Sequence, residues 1–348
     1  MTPTIGLIAN PVSARDIRRI VANAGNLQIT DRVNIVLRML QAAHACGVQR
    51  ALLMPDRGGI RALLERHLRR GHDASLPAIE FLDMEPTSTV DDTFAATRLL
   101  QRAGVAAIVV LGGDGTHRAV VRELVEADPG LPIAGLSTGT NNAFPEMREP
   151  TITGMAVGLY AAGRIDAADA LLPHKLVEVQ ITGADGRTRR DVAIVDAVVT
   201  HDRSVGARAL WKTSSLDAVY LAFADPQAIG LSAIGGLLQP VGRQAAGGLA
   251  VQLASDPAHA LLHLTAPIAP GLVRPVPIAH WQRMVADEPL TVQLAAGTVA
   301  LDGERELAFE TGQTVTMTLR ENAFFTVDAA RCMAVAAQQG LLRVPVPS

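Results

Sequence analysis

"VVLGGDGTHRAVVREL", Val109–Leu124, decides how this chain is read. An unbroken apolar run, Val105–Leu111, ends in Gly112-Gly113-Asp114-Gly115-Thr116. It passes at once into a helical pattern with Val120, Val121, Leu124 and Val125 on one face. A strand apolar on both faces, a glycine turn and an amphipathic helix form the repeating unit of a parallel sheet covered by helices. Three glycines ring one carboxylate. Bare backbone at Gly112, Gly113 and Gly115 lets main-chain N–H groups approach a phosphate, with the helix dipole behind them. A carboxylate there repels phosphate unless it holds a metal ion or takes a proton, and phosphoryl transfer uses both. The competing reading is a tight strand-to-helix turn with Asp114 as its N-cap.

The flanking sequence repeats the unit. "TIGLIAN" (Thr4–Asn10), "RALLMP", "AIEFLD" and "PIAGLS" read as further strands. Asp31 is placed to cap a helix carrying Val33, Val36, Leu37 and Leu40. "RALLERHLRR" (Arg61–Arg70) is an amphipathic helix, and Thr87-Ser88 opens another through Leu100. The expected fold is therefore α/β, with a Rossmann-like parallel-sheet domain over residues 1–146. After about Tyr160 the pattern changes to period two, in "HKLVEVQITG", "DVAIVDAVVT", "LTVQLAAGTVALDGERELAFE" and "TVTMTL". This predicts an antiparallel β-sandwich domain over 147–320. The helical segment after Asp328 lacks a β partner, so residues 321–348 are expected to fold back onto the first domain.

A second polar loop, "LSTGTNNAFPE" (Leu136–Glu146), follows the next strand. Ligands of open parallel sheets sit beyond the carboxyl ends of the strands, so this loop faces the same cleft as the glycine turn. Thr138, Gly139 and Thr140 suit a phosphate or ribose. Asn141 and Asn142 offer amide donors and acceptors for sugar hydroxyls or a base edge.

Composition sets limits. The chain has 348 residues, a length that favours two domains, and is 49% hydrophobic but only 3% aromatic, so Ala, Val, Leu and Ile fill the core. A net charge of -3 and the lack of a basic stripe argue against a nucleic-acid partner. Lysine occurs only at Lys175 and Lys212, which excludes a Walker A loop. Cys46 and Cys332 form no metal or redox spacing. The N-terminus does not read as a signal peptide, and no apolar run approaches the ~18 residues of a spanning helix. A cytoplasmic protein with no membrane partner is expected.

Other features are weaker. His117 and Arg118 either touch phosphate or are solvated first-turn residues. Asp91-Asp92 suits the first turn of a helix. His259 and His263 lack a third metal ligand nearby, and Trp211 and Lys212 suit packing and solvation. Asp302-Gly303 between alternating strands signals a two-residue type I′ hairpin turn.

"GGDGT" followed by "TGTNNAF" resembles the superfamily of NAD kinases and diacylglycerol-type lipid kinases. "IANPVSARDIRR", "STGTNNAFPEMREPT", "GLSAIGGLLQPV" and "ALDGEREL" narrow the resemblance to one branch, the ATP-NAD kinase-like proteins of acetoin catabolism (AcoX). The match runs from Ile5 to about Leu307. The resemblance implies ATP, NAD and Mg²⁺ as ligands, a nucleotide held between two domains, and a homodimer or homotetramer. Asp114 would activate the acceptor hydroxyl. Gly112, Gly113, Gly115 and Thr116 would approach phosphates, and Thr138, Gly139, Thr140, Asn141 and Asn142 would contact nucleotide. Asp196 stands where NAD kinases carry an Asn-acidic pair, with Val195 in place of the Asn. Ser232 lies in the segment matching their nucleotide loop. Glu304 would add a carboxylate, as in the Asp-Gly-Glu of lipid kinases, and a rigid hairpin could present it. Two functions are compatible with this reading. One is a kinase acting on NAD, a lipid or another small alcohol; the other is a non-catalytic nucleotide-binding regulator.

Overall fold

β1 (Thr4–Ala9) and β4 (Ile108–Gly112) lie side by side in a parallel sheet, and every residue of β4 is buried. The computed structural model describes residues 2–11, 28–69, 73–138, 142–145, 148–202, 215–303 and 305–343. Around the central pair, the first half supplies α1 (Ile29–Ala45), β2 (Arg50–Leu53), α2 (Ile60–Leu68), β3 (Ala78–Phe81), α3 (Val90–Arg102), α4 (Asp114–Ala127), β5 (Ile133–Ser137), α5 (Pro150–Ala161) and the single turn α6 (Ala167–Ala170). The five strands pair in parallel in the order 3-2-1-4-5. The order reverses between β1 and β4, the kind of point beside which such sheets bind ligands.

The second half contributes β6 (Leu171–Thr182), β7 (Thr188–Ala193), β8 (Asp196–Thr200), β9 (Leu216–Leu221), α7 (Ser232–Leu238), β10 (Gly248–Leu253), β11 (Leu262–Ala269) and β12 (Leu272–Met284). It continues with β13 (Pro289–Thr291), β14 (Gly297–Leu301), β15 (Arg305–Phe309), β16 (Thr314–Val327) and α8 (Ala329–Gln339). A second, antiparallel sheet has the order β11-β12-β10-β9-β8-β14-β15. β6, β7, β13 and β16 join the first sheet instead. β16 pairs antiparallel with β6 from Thr314–Thr182 to Val327–Leu171, and meets β5 in parallel at Thr326–Ile133. The fold is thus mixed α/β, with an antiparallel sheet laid against the extended first one.

Three apolar clusters hold the layers. One continuous core joins Val120, Val121 and Leu124 of α4 to Val177, Met317 and Phe324 of the β6–β16 ribbon, and on to Val199, Tyr220 and Val299 of the second sheet. The opposite face of the first sheet is covered by α1, α5 and α8, with Val36, Leu40, Val157, Cys332 and Ala336 sharing that core. A third cluster lies on the far face of the second sheet beneath Ile234 of α7. The expected boundary near residue 147 therefore falls inside a shared architecture: α5 lies with the first half, and the first sheet continues into the second. Among the described residues no helix is long and apolar enough to cross a membrane.

Several local expectations change. Asp31 does not cap α1; Gln28 holds that position, and its N–H donates to Asp31 Oδ2 at 3.2 Å. Asp92 is buried and accepts from Thr87 N, Thr87 Oγ1 and Ser88 N, so it fixes the entry to α3 as well as meeting the dipole. Leu301 pairs with Arg305, which makes the hairpin connection one residue longer than the expected two-residue turn. The positive φ values of Asp302 (47°) and Gly303 (70°) do suit an Asp-Gly pair.

Candidate functional site

β4 and β5 end side by side, with Gly112 registered against Ser137. Thr138 N donates to Gly112 O at 3.3 Å, so the two loops leave the sheet together. Gly113 is the N-cap of α4, and Asp114 is the first helical residue. Asp114 thus does not cap its own helix. Its carboxylate crosses to the neighbouring loop, where Oδ2 accepts from Ala143 N and Oδ1 from Phe144 N, each at 2.9 Å. Asp114 is half-buried.

The glycines have a reason inside the protein. A Cβ on Gly112 would come within 2.6 Å of Thr116 Cβ, and one on Gly113 within 3.0 Å of Asn142 Oδ1. Asn142 Nδ2 donates to Ser137 Oγ at 2.8 Å. Thr116 and Asn142, expected to meet nucleotide, therefore also lock the glycine turn against the second loop. Thr116 and Thr138 are buried.

His117 and Arg118 are neither solvated nor at the surface. His117 is fully buried, with Nδ1 2.8 Å from Gly113 O. Burial pulls its pKa down to about 4, against the Gly113 and Val110 carbonyls, so the ring is neutral at pH 7. Arg118 forms a buried ion pair with Asp191 of β7 at 3.1 Å, tying α4 to the far edge of the sheet.

From the second half come two more carboxylates. Asp302 is buried; Oδ2 accepts from Ile194 N at 2.9 Å, and Oδ1 from Val195 N and Asp196 N at 2.8 and 3.0 Å. Burial first, then the Asp196 and Asp114 carboxylates, push the Asp302 carboxyl well above its ordinary range, while the Ile194 N–H and Arg118 oppose them. Asp114 and Asp196 are thus each within electrostatic reach of Asp302. Ser232 is not brought to them: it is buried at the start of α7, whose neighbours are β9, β10 and β11 on the far face of the second sheet. Gly139, Thr140, Asn141 and Glu304 lie outside the described residues, as do Trp211 and Lys212. Gly115 is buried in the first turn of α4.

Two residues of the site had no functional signal in the sequence. Arg243, in the glycine-bearing connection between α7 and β10, donates to the carbonyls of Ala143 and Phe144. His174 stacks on Phe324 with ring centroids 5.3 Å apart and meets Phe144 edge-on at 5.3 Å. Burial, then the charges of Arg243, Arg148 and Lys175, lower its pKa to about 3. A cavity of about 170 Å³ lies here, bounded by Gly135, Phe144, Arg148, His174, Arg243 and Thr326. It falls below the ~300–1,000 Å³ of a typical ligand pocket, so a dinucleotide would not fit inside it.

Residues 5–165 match the family profile of the ATP-NAD kinase N-terminal domain, and residues 175–322 match that of the acetoin catabolism protein X C-terminal domain. The chain is 58% identical, over 351 aligned positions, to acetoin catabolism protein X of Cupriavidus necator, covering 100% of this chain and 96% of that protein. Among solved structures, yeast NADH kinase complexed with NADH is similar at 12% identity and a TM-score of 0.48, covering 99% of this chain and 89% of that one. A putative diacylglycerol kinase from Bacillus anthracis gives 14% identity and a TM-score of 0.48, covering 93% and 96%.

Proposed function

Because this chain belongs to the acetoin catabolism protein X family, we propose that it is a kinase-type phosphotransferase that moves the γ-phosphoryl group of ATP to the 2′-hydroxyl of the adenosine ribose of NAD. The observation that carries this reading is the Asp114 carboxylate bound across to Ala143 and Phe144. It joins the glycine turn and the second loop at one place, at the carboxyl ends of β4 and β5.

The phosphates lie over Gly112–Gly115, where the first-turn N–H groups of α4 and the helix dipole meet negative charge. Thr138 and Asn142 border the ribose. Asp114 orients the acceptor hydroxyl and takes its proton as the new P–O bond forms and the β–γ bridge breaks. Mg²⁺, which Asp114 would hold together with the nucleotide phosphates, would supply neutralisation of the charge on the transferred group. Among the described residues no group of three or more His, Cys, Asp or Glu could hold a metal ion. A Mg²⁺ ion would instead be held by one or two carboxylates together with substrate phosphates. Asp114 would be the side chain to hold it, through carboxylate lone pairs not used by the Ala143 and Phe144 N–H groups.

The test is purified protein with ATP, Mg²⁺ and NAD, with NADP followed through a coupled dehydrogenase. Asp114→Asn should lower turnover by roughly 10²–10⁴-fold, the usual worth of a general base. Turnover untouched by that substitution removes the role given to Asp114. Running NADH and a lipid alcohol in parallel reads the acceptor. A second reading, a nucleotide-binding regulator without turnover, is favoured by the internal use of the Asn142 amide, which donates to Ser137 Oγ. A ligand-dependent rise in melting temperature with no product supports it.

A further inference from the structure

Arg243 stands in the connection between α7 and β10. Its Nη1 donates to Phe144 O at 2.8 Å and its Nη2 to Ala143 O. The Ala143 carbonyl and the Phe144 N–H belong to the same peptide unit. That unit gives its N–H to Asp114 Oδ1 at 2.9 Å. A guanidinium, one peptide and a carboxylate therefore stand in series. A cation drawing on the carbonyl oxygen polarises the peptide and strengthens its N–H as a donor.

The guanidinium is itself fixed. Its carbon lies 4.6 Å from the centroid of the Phe223 ring and 5.7 Å from that of Phe144. Lys175 Nζ donates to the carbonyls of Gly242, Ala245 and Gly247 at 3.1, 2.7 and 2.7 Å, which brackets Arg243 on both sides. Gly247 N donates to Glu321 of β16 at 2.6 Å. The second half thus uses β6, β16 and their glycine-bearing partner segment to place a single forked donor on the loop that holds Asp114.

We propose that Arg243 is a positioning residue for the phosphoryl transfer, fixing the orientation of Asp114 through the Ala143–Phe144 peptide. This rests on the phosphotransferase reading above. Lysine at this position would keep the charge, but it lacks the planar fork that grips two carbonyls at once.

The test has two arms. The first needs no turnover: amide hydrogen exchange at Ala143 and Phe144 in wild type, Arg243→Lys, Arg243→Ala, Asp114→Asn and the Arg243→Ala/Asp114→Asn double variant. Protection of the Phe144 amide should fall roughly tenfold in Arg243→Ala, about one charge-assisted hydrogen bond. It should fall similarly in Asp114→Asn, and the double variant should add little to either. Unchanged protection in Arg243→Ala, or strictly additive losses, overturns the proposal.

The second arm is kinetic. In Arg243→Ala, kcat should drop on the order of 10–100-fold with both KM values within about twofold, the mark of an interaction used in the transition state. Arg243→Lys should recover part of it, and added guanidinium ion should restore more. A loss confined to KM, or one tracked entirely by melting temperature, means Arg243 only supports the loop. If wild type transfers phosphate to no acceptor, the phosphotransferase reading fails, and the exchange arm still decides whether Arg243 and Asp114 act as one unit.

Discussion

At the scale of single residues, Asp302 shows how much a turn position can carry. The carboxyl is fully buried and gathers three backbone N–H donors, from Ile194, Val195 and Asp196. Asp302→Ala would strand those donors away from water. The expected loss is on the order of 3–5 kcal/mol, at one to three for each unsatisfied group with some relaxation, read from urea denaturation. A change below about 1 kcal/mol would mean that water replaces the carboxylate. The Asp-Gly pair was legible as a turn because positive φ favours those residues. The carboxylate's partners were not, because they lie 106 to 108 positions away. Arg243 was hidden for the same reason, since its acceptors are 99 and 100 positions off. Asp114 was legible because its surroundings are local: a glycine on either side, a strand before and a helix after. Even there, part of what looked like room for a ligand is taken up by Thr116 and Asn142.

At the scale of elements, α5 is the clearest case of a helix that sequence patterning missed. It is largely buried, between α1 and α8, so it has no polar face to mark a period. It also contains two glycines, which count against helix by propensity. Their use is close approach. A Cβ on Gly154 would stand 2.2 Å from Met39 O, and one on Gly158 2.6 Å from Ala43 O. Both obstacles are backbone of α1, which cannot move aside as a side chain can. Gly154→Ala should therefore destabilise by about 1–3 kcal/mol or more, despite the better helix propensity of alanine. A melting temperature equal to or above wild type would show that the two helices separate at no cost. By contrast, β1, β4 and β5 were legible outright, since strands covered on both faces need unbroken apolar runs.

At the scale of the whole molecule, two neutral histidines sit in the seam between its halves. His117 and His174 both contact the Phe144 ring, with centroids 5.9 and 5.3 Å from it. Their native pKa values are lowered to about 4 and about 3. The unfolded chain protonates both near pH 6.5, so below that pH it binds more protons than the native state. Stability should be flat above about pH 6.5 on their account and fall as the pH drops toward 4. The slope is at most about 1.4 kcal/mol per pH unit for each ring. Urea denaturation at pH 7, 6 and 5 checks the sign, and His174→Phe should flatten the fall. A slope unchanged by that substitution would assign the acid sensitivity to other groups.

β16 bears on how such a molecule can form. The strand that lies between β5 and β6 is encoded nearly two hundred positions after the first of them. On the ribosome, the flank of β5 therefore stays bare until β16 has emerged. Its closure joins distant parts of the chain, the kind of contact that slows folding and leaves a sticky border exposed meanwhile. Nascent chains stalled short of Thr314 should be protease-sensitive and prone to associate through that border, and both traits should vanish together once Val327 has cleared the exit tunnel.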